Sequence, residues 1–168
     1  FQYLFERIAF FSRSNKLRIW CARKTGVKIG TEVCVGNSVS FDRIFPENIS
    51  IGDNTSIGDR SFITAHANIP KYTPLKLIYP RMAGIVSIGK GVWIMPNTSI
   101  APNVTIGDYS VIAMGSIVTK SIPPMVLAGG VPCKPLKDLS ADLRDELEES
   151  GEYANLLSIR EKMSYLNK

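Results

Sequence analysis

The sequence predicts an all-β solenoid flanked by helices. Three observations carry this: an aliphatic residue at every sixth position, a small or β-branched residue four places after most of them, and turn formers between. Val27, Val33, Val39, Phe45, Ile51, Ile57 and Ile63 fall six apart, and Ile88, Ile94, Ile100, Ile106, Ile112 and Val118 do so again. The companion position holds Thr31, Asn37, Thr55, Ser61, Ala67, Val92, Thr98, Val104, Ser110 and Ser116, with Arg43 and Ile122 as exceptions. Gly52, Gly58, Gly89 and Gly107 follow an aliphatic directly, and Asp53-Asn54 and Asp59-Arg60 supply turn residues. Six is not a multiple of 3.6, so a helix would smear these aliphatics around its surface, whereas short strands separated by corners keep them inward. Three hexads close one coil, and thirteen make just over four coils, each burying its face only against its neighbours.

Residues 1–26 precede the repeat and read as a helical segment. Through residue 28 they carry Arg7, Arg13, Lys16, Arg18, Arg23, Lys24 and Lys28 against Glu6 alone, interleaved with Phe5, Ile8, Phe10, Phe11, Leu17, Ile19 and Trp20. Such a segment either rests on an anionic membrane or packs its apolar face on the rest of the protein. No apolar run is long enough to span a bilayer, because Glu6, Arg7 and Arg13 interrupt the hydrophobic start. The start also lacks the layout of a secretory signal, and the missing initiator Met suggests that residues precede it. Cys21, Cys34 and Cys133 form no CxxC pair, which suits reduced thiols and a cytoplasmic location, with the inner membrane face as an option. No nucleic-acid partner is expected.

The repeat occupies residues 27–123, with an excursion over about 69–87. Ile88 lies 25 residues after Ile63, one more than four hexads, and the stretch from Pro70-Lys71-Tyr72 to Tyr79-Pro80-Arg81 fits no hexad. Long loops on a rigid scaffold are often functional, and this one follows His66, the chain's single histidine. Residues 124–168 form a C-terminal extension. It opens with a turn-rich exit, Ile122-Pro123-Pro124 and Gly129-Gly130-Val131-Pro132. A helix capped around Ser140–Leu143 and running to Ser150 follows, then a second over Glu152–Leu166, as covers for the end of the coil.

The segments Ile88-Gly89-Lys90-Gly91-Val92-Trp93-Ile94, Gly115-Ser116-Ile117-Val118-Thr119-Lys120 and Ala128-Gly129-Gly130-Val131-Pro132-Cys133-Lys134, in this order, resemble the hexapeptide-repeat acyltransferases. The resemblance covers about residues 25–138 and is nearest to the galactoside, maltose and polysaccharide O-acetyltransferases. It implies a left-handed parallel β-helix, a homotrimer with sites between subunits, acetyl-coenzyme A as co-substrate, no metal, and a small or glycan-linked acceptor. His66 matches the family's catalytic base, which takes the acceptor proton as that atom attacks the thioester. Trp93 matches a tryptophan near the base and the bound ligands. Met114, Ser116, Thr119 and Lys120 match the coenzyme A path, and Lys134 and Lys137 match positions that meet its phosphates. Met95 and Met114 stand where relatives carry glycine or alanine. The acceptor-positioning residue has no clean counterpart, and Asn37 and Asp42 are the candidates, with a corner-forming role as the alternative for Asp42. The expected activity is O-acetylation of a sugar hydroxyl in polysaccharide or glycoconjugate synthesis. Antibiotic or amino-sugar N-acetylation, or a non-catalytic scaffold, are the alternatives. Zinc hydration chemistry on a related fold needs three histidine ligands and is excluded by the single His66.

Overall fold

The computed structural model describes residues 2–70, 72–78 and 82–166. Helices α1 (Gln2–Phe11) and α2 (Asn15–Thr25) lead into β1 (Lys28–Ile29), β2 (Cys34–Val35) and β3 (Ser40–Phe41). A second round follows as β4 (Ile49–Ile51), β5 (Ser56–Ile57) and β6 (Phe62–Ile63). After the pair β7 (His66–Ala67) and β8 (Met82–Ala83) come β9 (Val86–Ile88), β10 (Trp93–Ile94) and β11 (Ser99–Ile100). The last full round is β12 (Thr105–Ile106), β13 (Val111–Ile112) and β14 (Ile117–Val118). The chain ends with β15 (Val126–Gly129), β16 (Lys134–Asp138), α3 (Arg144–Glu149) and α4 (Tyr153–Leu166).

Each round lays one strand on each of three sheets in strict rotation. The first sheet is β1-β4-β9-β12, the second β2-β5-β10-β13-β15-β16 and the third β3-β6-β11-β14. Every pairing within these sheets is parallel except β15 with β16. The inward column Val35, Ile57, Ile94, Ile112 and Ala128 runs the length of the second sheet and is almost wholly buried. Removing a side chain such as Ile57 from water contributes about 1.5–3 kcal/mol, so the stack is the main stabilising term.

The register revises the expected frame. Lys28, Ser50, Ser87 and Thr105 are level, so successive rounds take 22, 37 and 18 residues. Eighteen is three hexads, which leaves four extra residues in the first corner from β3 to β4 and nineteen in the excursion. Val33 is therefore level with Thr55, while Val35 is level with Ile57. Val27, Val33 and Val39 lie two positions out of phase with Ile51, Ile57 and Ile63, and Phe45 sits in the insert beside a 3-10 turn, Pro46–Asn48. Val27, Val33, Val39 and Val35 are buried and Ile29 and Phe41 partly so, because residues i and i+2 of a strand share a face.

Corners follow their own rule. The third residue after an inward aliphatic takes a positive φ at Glu32, Ser38, Asn54, Arg60, Gly91, Asn97, Asn103, Tyr109, Gly115 and Met125. The rule lapses after Phe41, Ile63 and Val118, at exits from the third sheet, and after Ala128 in the last parallel strand of the second. Tight stacking also demands missing side chains: a Cβ on Gly58 would lie 2.4 Å from the Pro96 nitrogen.

Helices close both ends. The Asn15 side chain accepts from Val35 N at 2.8 Å and donates to the Val33 carbonyl at 3.1 Å, satisfying β2 as a neighbouring strand would. Buried Arg18 donates to the Val35 carbonyl at 2.7 Å and fixes α2 on the first round. At the other end Met125, Leu147, Tyr153 and Leu156 form a separate apolar cluster. Two expectations shift here. The turn-rich exit contains β15, a further strand of the second sheet, and the first C-terminal helix begins at Arg144 without a side-chain cap from Ser140. Lys71, Tyr79, Pro80 and Arg81 of the expected excursion, and Phe1, Asn167 and Lys168 at the ends, lie outside the described residues. Among the described residues no helix is long and apolar enough to cross a membrane.

Candidate active site

The site grows from two of the lapsed corners. Asp42 follows β3, Thr64 follows β6, and the register of Phe41 with Ile63 sets them level on adjacent rounds. Comparable positions at the other corners of these rounds are Gly30, Gly36, Gly52 and Gly58, so a side chain here is the exception. The Asp42 carboxylate is buried and fully bonded. Its Oδ1 accepts from the N–H of Ile44 at 2.8 Å and of Phe45 at 2.9 Å, and its Oδ2 accepts from Ala65 N at 2.7 Å. Thr64 Oγ1 lies 3.0 Å from Asp42 Oδ2 and 2.9 Å from the His66 carbonyl oxygen, its one proton serving either. Burial acts to raise the Asp42 pKa. Hydrogen bonds from Phe45 N–H, the His66 ring, Ile44 N–H and Ala65 N–H outweigh it and hold the group well below the usual carboxylate range.

That anion holds His66. Nδ1 donates to Asp42 Oδ2 at 2.5 Å, and the Phe45 ring packs edge-on at 6.1 Å between centroids. With the proton on Nδ1, the lone pair sits on Nε2, which accepts from Asn68 Nδ2 at 3.0 Å. His66 also opens β7, whose antiparallel pairing with β8 closes the base of the excursion. Its side chain remains partly accessible, at 18%. The arrangement is an imidazole held from behind at Nδ1, with Nε2 turned outward. It can accept a proton from a bound hydroxyl or amine.

Asp42 was expected to position an acceptor; its carboxylate, with no accessible surface, instead orients His66. Asn37 does not join the site. It lies at the corner between the second and third sheets, accepts from Arg18 at 3.0 Å and bonds through its N–H to Asp59 Oδ1 at 2.7 Å. Ser116 is buried, donates to the Ala113 carbonyl and accepts from Gly130 N, so its hydroxyl faces the coil interior rather than a ligand. Thr119 and Lys120 are exposed at the corner column that also holds Thr64, because Ile63, Ile100 and Val118 are level. Trp93 projects from the second sheet, Met114 from its corner with the third, and Lys134 and Lys137 from β16; all four are exposed. Lys137 is ion-paired with Asp142 at 2.7 Å. The expected coenzyme A residues thus fall on two sides of the coil, separated by a third sheet that exposes Phe62 and Ile117. Sequence reasoning missed Asp42 as the partner of His66, and also Thr64 and Asn68. Among the described residues no cluster of three or more His, Cys, Asp or Glu side chains is placed to hold a metal.

A three-sided coil of parallel hexads with one carboxylate-held imidazole beside an excursion defines a class, the hexapeptide-repeat transferases. The family described as bacterial transferase hexapeptide (six repeats) matches residues 85–120. YvoF of Bacillus subtilis (strain 168), an acetyltransferase by name, is 36% identical over 126 residues, covering 75% of this chain and 68% of that one. Galactoside O-acetyltransferase of Escherichia coli (strain K12) is 40% identical over 92 residues, 55% of this chain and 45% of its own length. The structure of a galactoside acetyltransferase in complex with coenzyme A superposes with a TM-score of 0.65 at 27% identity, covering 85% of this chain and 81% of that one. The chain belongs to the bacterial hexapeptide-repeat transferases, among their acetyltransferases.

Proposed function

We propose that the protein transfers an acetyl group from acetyl-coenzyme A to a sugar hydroxyl, with His66 as general base and Asp42 as its positioning residue. The His66–Asp42 pair carries this reading. The acceptor hydroxyl takes the place of the Asn68 amide at Nε2 and gives its proton to that nitrogen as its oxygen attacks the thioester carbon. The tetrahedral intermediate then expels the coenzyme A thiolate, which takes the proton back from the imidazolium. Asp42, held ionised by its backbone donors, stabilises the imidazolium in between. Sugar acceptors are favoured because galactoside acetyltransferases recur among the relatives in sequence and in structure.

The same proposal includes a left-handed coil and a homotrimer in the cytoplasm. Within one chain Trp93 and His66 lie on different sides of the coil, and packing one copy's second sheet beside another's excursion would unite them. Exposed Lys120 and Lys134 suit the coenzyme A phosphates, and Lys137 joins them once released from its surface pair with Asp142, an exchange that costs little. The test is a screen of sugar and amino-sugar acceptors with acetyl-coenzyme A, following free thiol. Thiol release driven by hydroxyl acceptors and lost in His66→Ala is expected. Release driven only by amino sugars would move the assignment to N-acetylation, and none with any acceptor would reject the enzymatic reading.

A further inference from the structure

The N-terminal helices leave large apolar side chains in solvent. On its inner side α1 turns Phe5 and Ala9 toward a cavity of about 270 Å³, whose opposite wall includes Val35, Val39 and Phe41 of the first round. Leu4 and Ile8, four apart on its outer side, are 56% and 38% exposed, and Phe11, which borders the cavity and also reaches solvent, is 74% exposed. Leu17 and Trp20 of α2 are exposed as well, and the Trp20 ring meets Phe5 of α1 edge-on at 5.3 Å. A helix covering a core normally offers solvent a polar face, whereas the exposed residues of α1 include Leu4, Ile8, Phe10 and Phe11 beside the single cation Arg7.

The charges around this surface have one sign. Arg13, Lys16 and Lys24 are exposed, with the Lys24 ammonium 5.8 Å from the Trp20 ring centre. Glu6, the one acid in the sequence of the two helices, is paired with Arg43 at 3.0 Å. We propose that the outer face of α1 and α2 docks on an anionic lipid bilayer, with the apolar side chains at the acyl boundary and the cations at the head groups. At 10 and 11 residues neither helix can span the bilayer, so the contact is in the plane of the interface. A second copy of the chain fits less well, because a two-fold contact would set these cations against their own counterparts.

Co-sedimentation of the intact protein with vesicles tests this, comparing equimolar phosphatidylglycerol and phosphatidylcholine with phosphatidylcholine alone. Binding to the anionic vesicles is expected, weakening with added salt. Ile8→Glu with Phe11→Glu should abolish it. Lys16→Gln with Lys24→Gln should weaken it roughly 25-fold, about five-fold per cation lost. Melting temperature and acetylation of a soluble acceptor should not change in either variant. Should the glutamate pair unfold the protein, the exposed lysine pair decides alone. No binding, equal binding to both vesicle types, or a change in oligomer size with vesicle binding untouched would overturn the proposal. The readout is independent of catalysis, so a failed acetylation assay leaves it standing or falling by itself.

Discussion

His66 and Asp42 are coupled because backbone N–H groups hold the carboxylate, and the carboxylate holds the imidazole. Asp42→Asn keeps the shape but removes the charge and lets the amide donate to Nδ1, which reverses the tautomer. Turnover should fall between about tenfold and 10⁴-fold, the spread seen for carboxylates that orient a working histidine, with the apparent affinity for coenzyme A unchanged. An equal loss in both would make Asp42 merely structural. Asp42→Glu should not rescue, since the longer acid cannot keep all four donors. The pH dependence has a definite sign. The folded pKa of Asp42 is depressed, so its contribution to stability is present above the unfolded carboxylate value of about 3.9 and is lost as pH falls below it. Acid unfolding followed by circular dichroism should therefore show the wild type's advantage over Asp42→Asn shrinking below about pH 4; an advantage constant down to pH 2 contradicts the assignment. His66 was legible in the sequence as the single imidazole beside an excursion. Asp42 was misassigned for a physical reason: an acid in a turn-rich corner looks like a turn former, and only the register reveals it level with Thr64, one round from the base.

At the level of strands and corners, the six-residue period showed that a coil exists and that its aliphatics face inward. It concealed one insertion. The first round presents Val27, Val33 and Val39 two positions out of phase, the insert adds four residues, and two plus four is a whole hexad, so the count runs on undisturbed. In the sequence the break is marked by Phe45-Pro46 and by Arg43 at a companion position that is elsewhere mostly small or β-branched. β15 was missed because Pro123-Pro124 before it and Gly129-Gly130 at its end dominate the local composition. Two changes test the stacking. Ile94→Ala at the centre of the longest column should cost about 2–5 kcal/mol in chemical denaturation. Gly58→Ala should lower the melting point by pressing a methyl group into the Pro96 backbone, and an unchanged melting point would show that the rounds are less closely stacked than described. On β16, replacing Lys134 and Lys137 with Ala should weaken binding of coenzyme A more than of a dephosphorylated pantetheine fragment. Equal losses would remove both residues from the phosphate site.

As a whole molecule, the coil separates what the proposed reaction needs. His66 faces one side, Trp93 and the lysines of β16 another, and the side between exposes Phe62 and Ile117. A trimer resolves this, and light scattering should report three copies at micromolar concentration; a monomer would leave the site divided. The proposed assembly rests on family resemblance, because exposed apolar residues on one sheet do not by themselves specify symmetry. The central claim is that His66 supplies the base, and it is tested most directly by turnover, coenzyme A affinity and melting temperature measured on one preparation of His66→Ala. General-base catalysis typically contributes about 10²–10⁴-fold, so turnover should fall by at least that order while affinity and melting temperature stay near wild type. Turnover surviving within about threefold, or a loss that merely tracks a lower melting temperature, would contradict it.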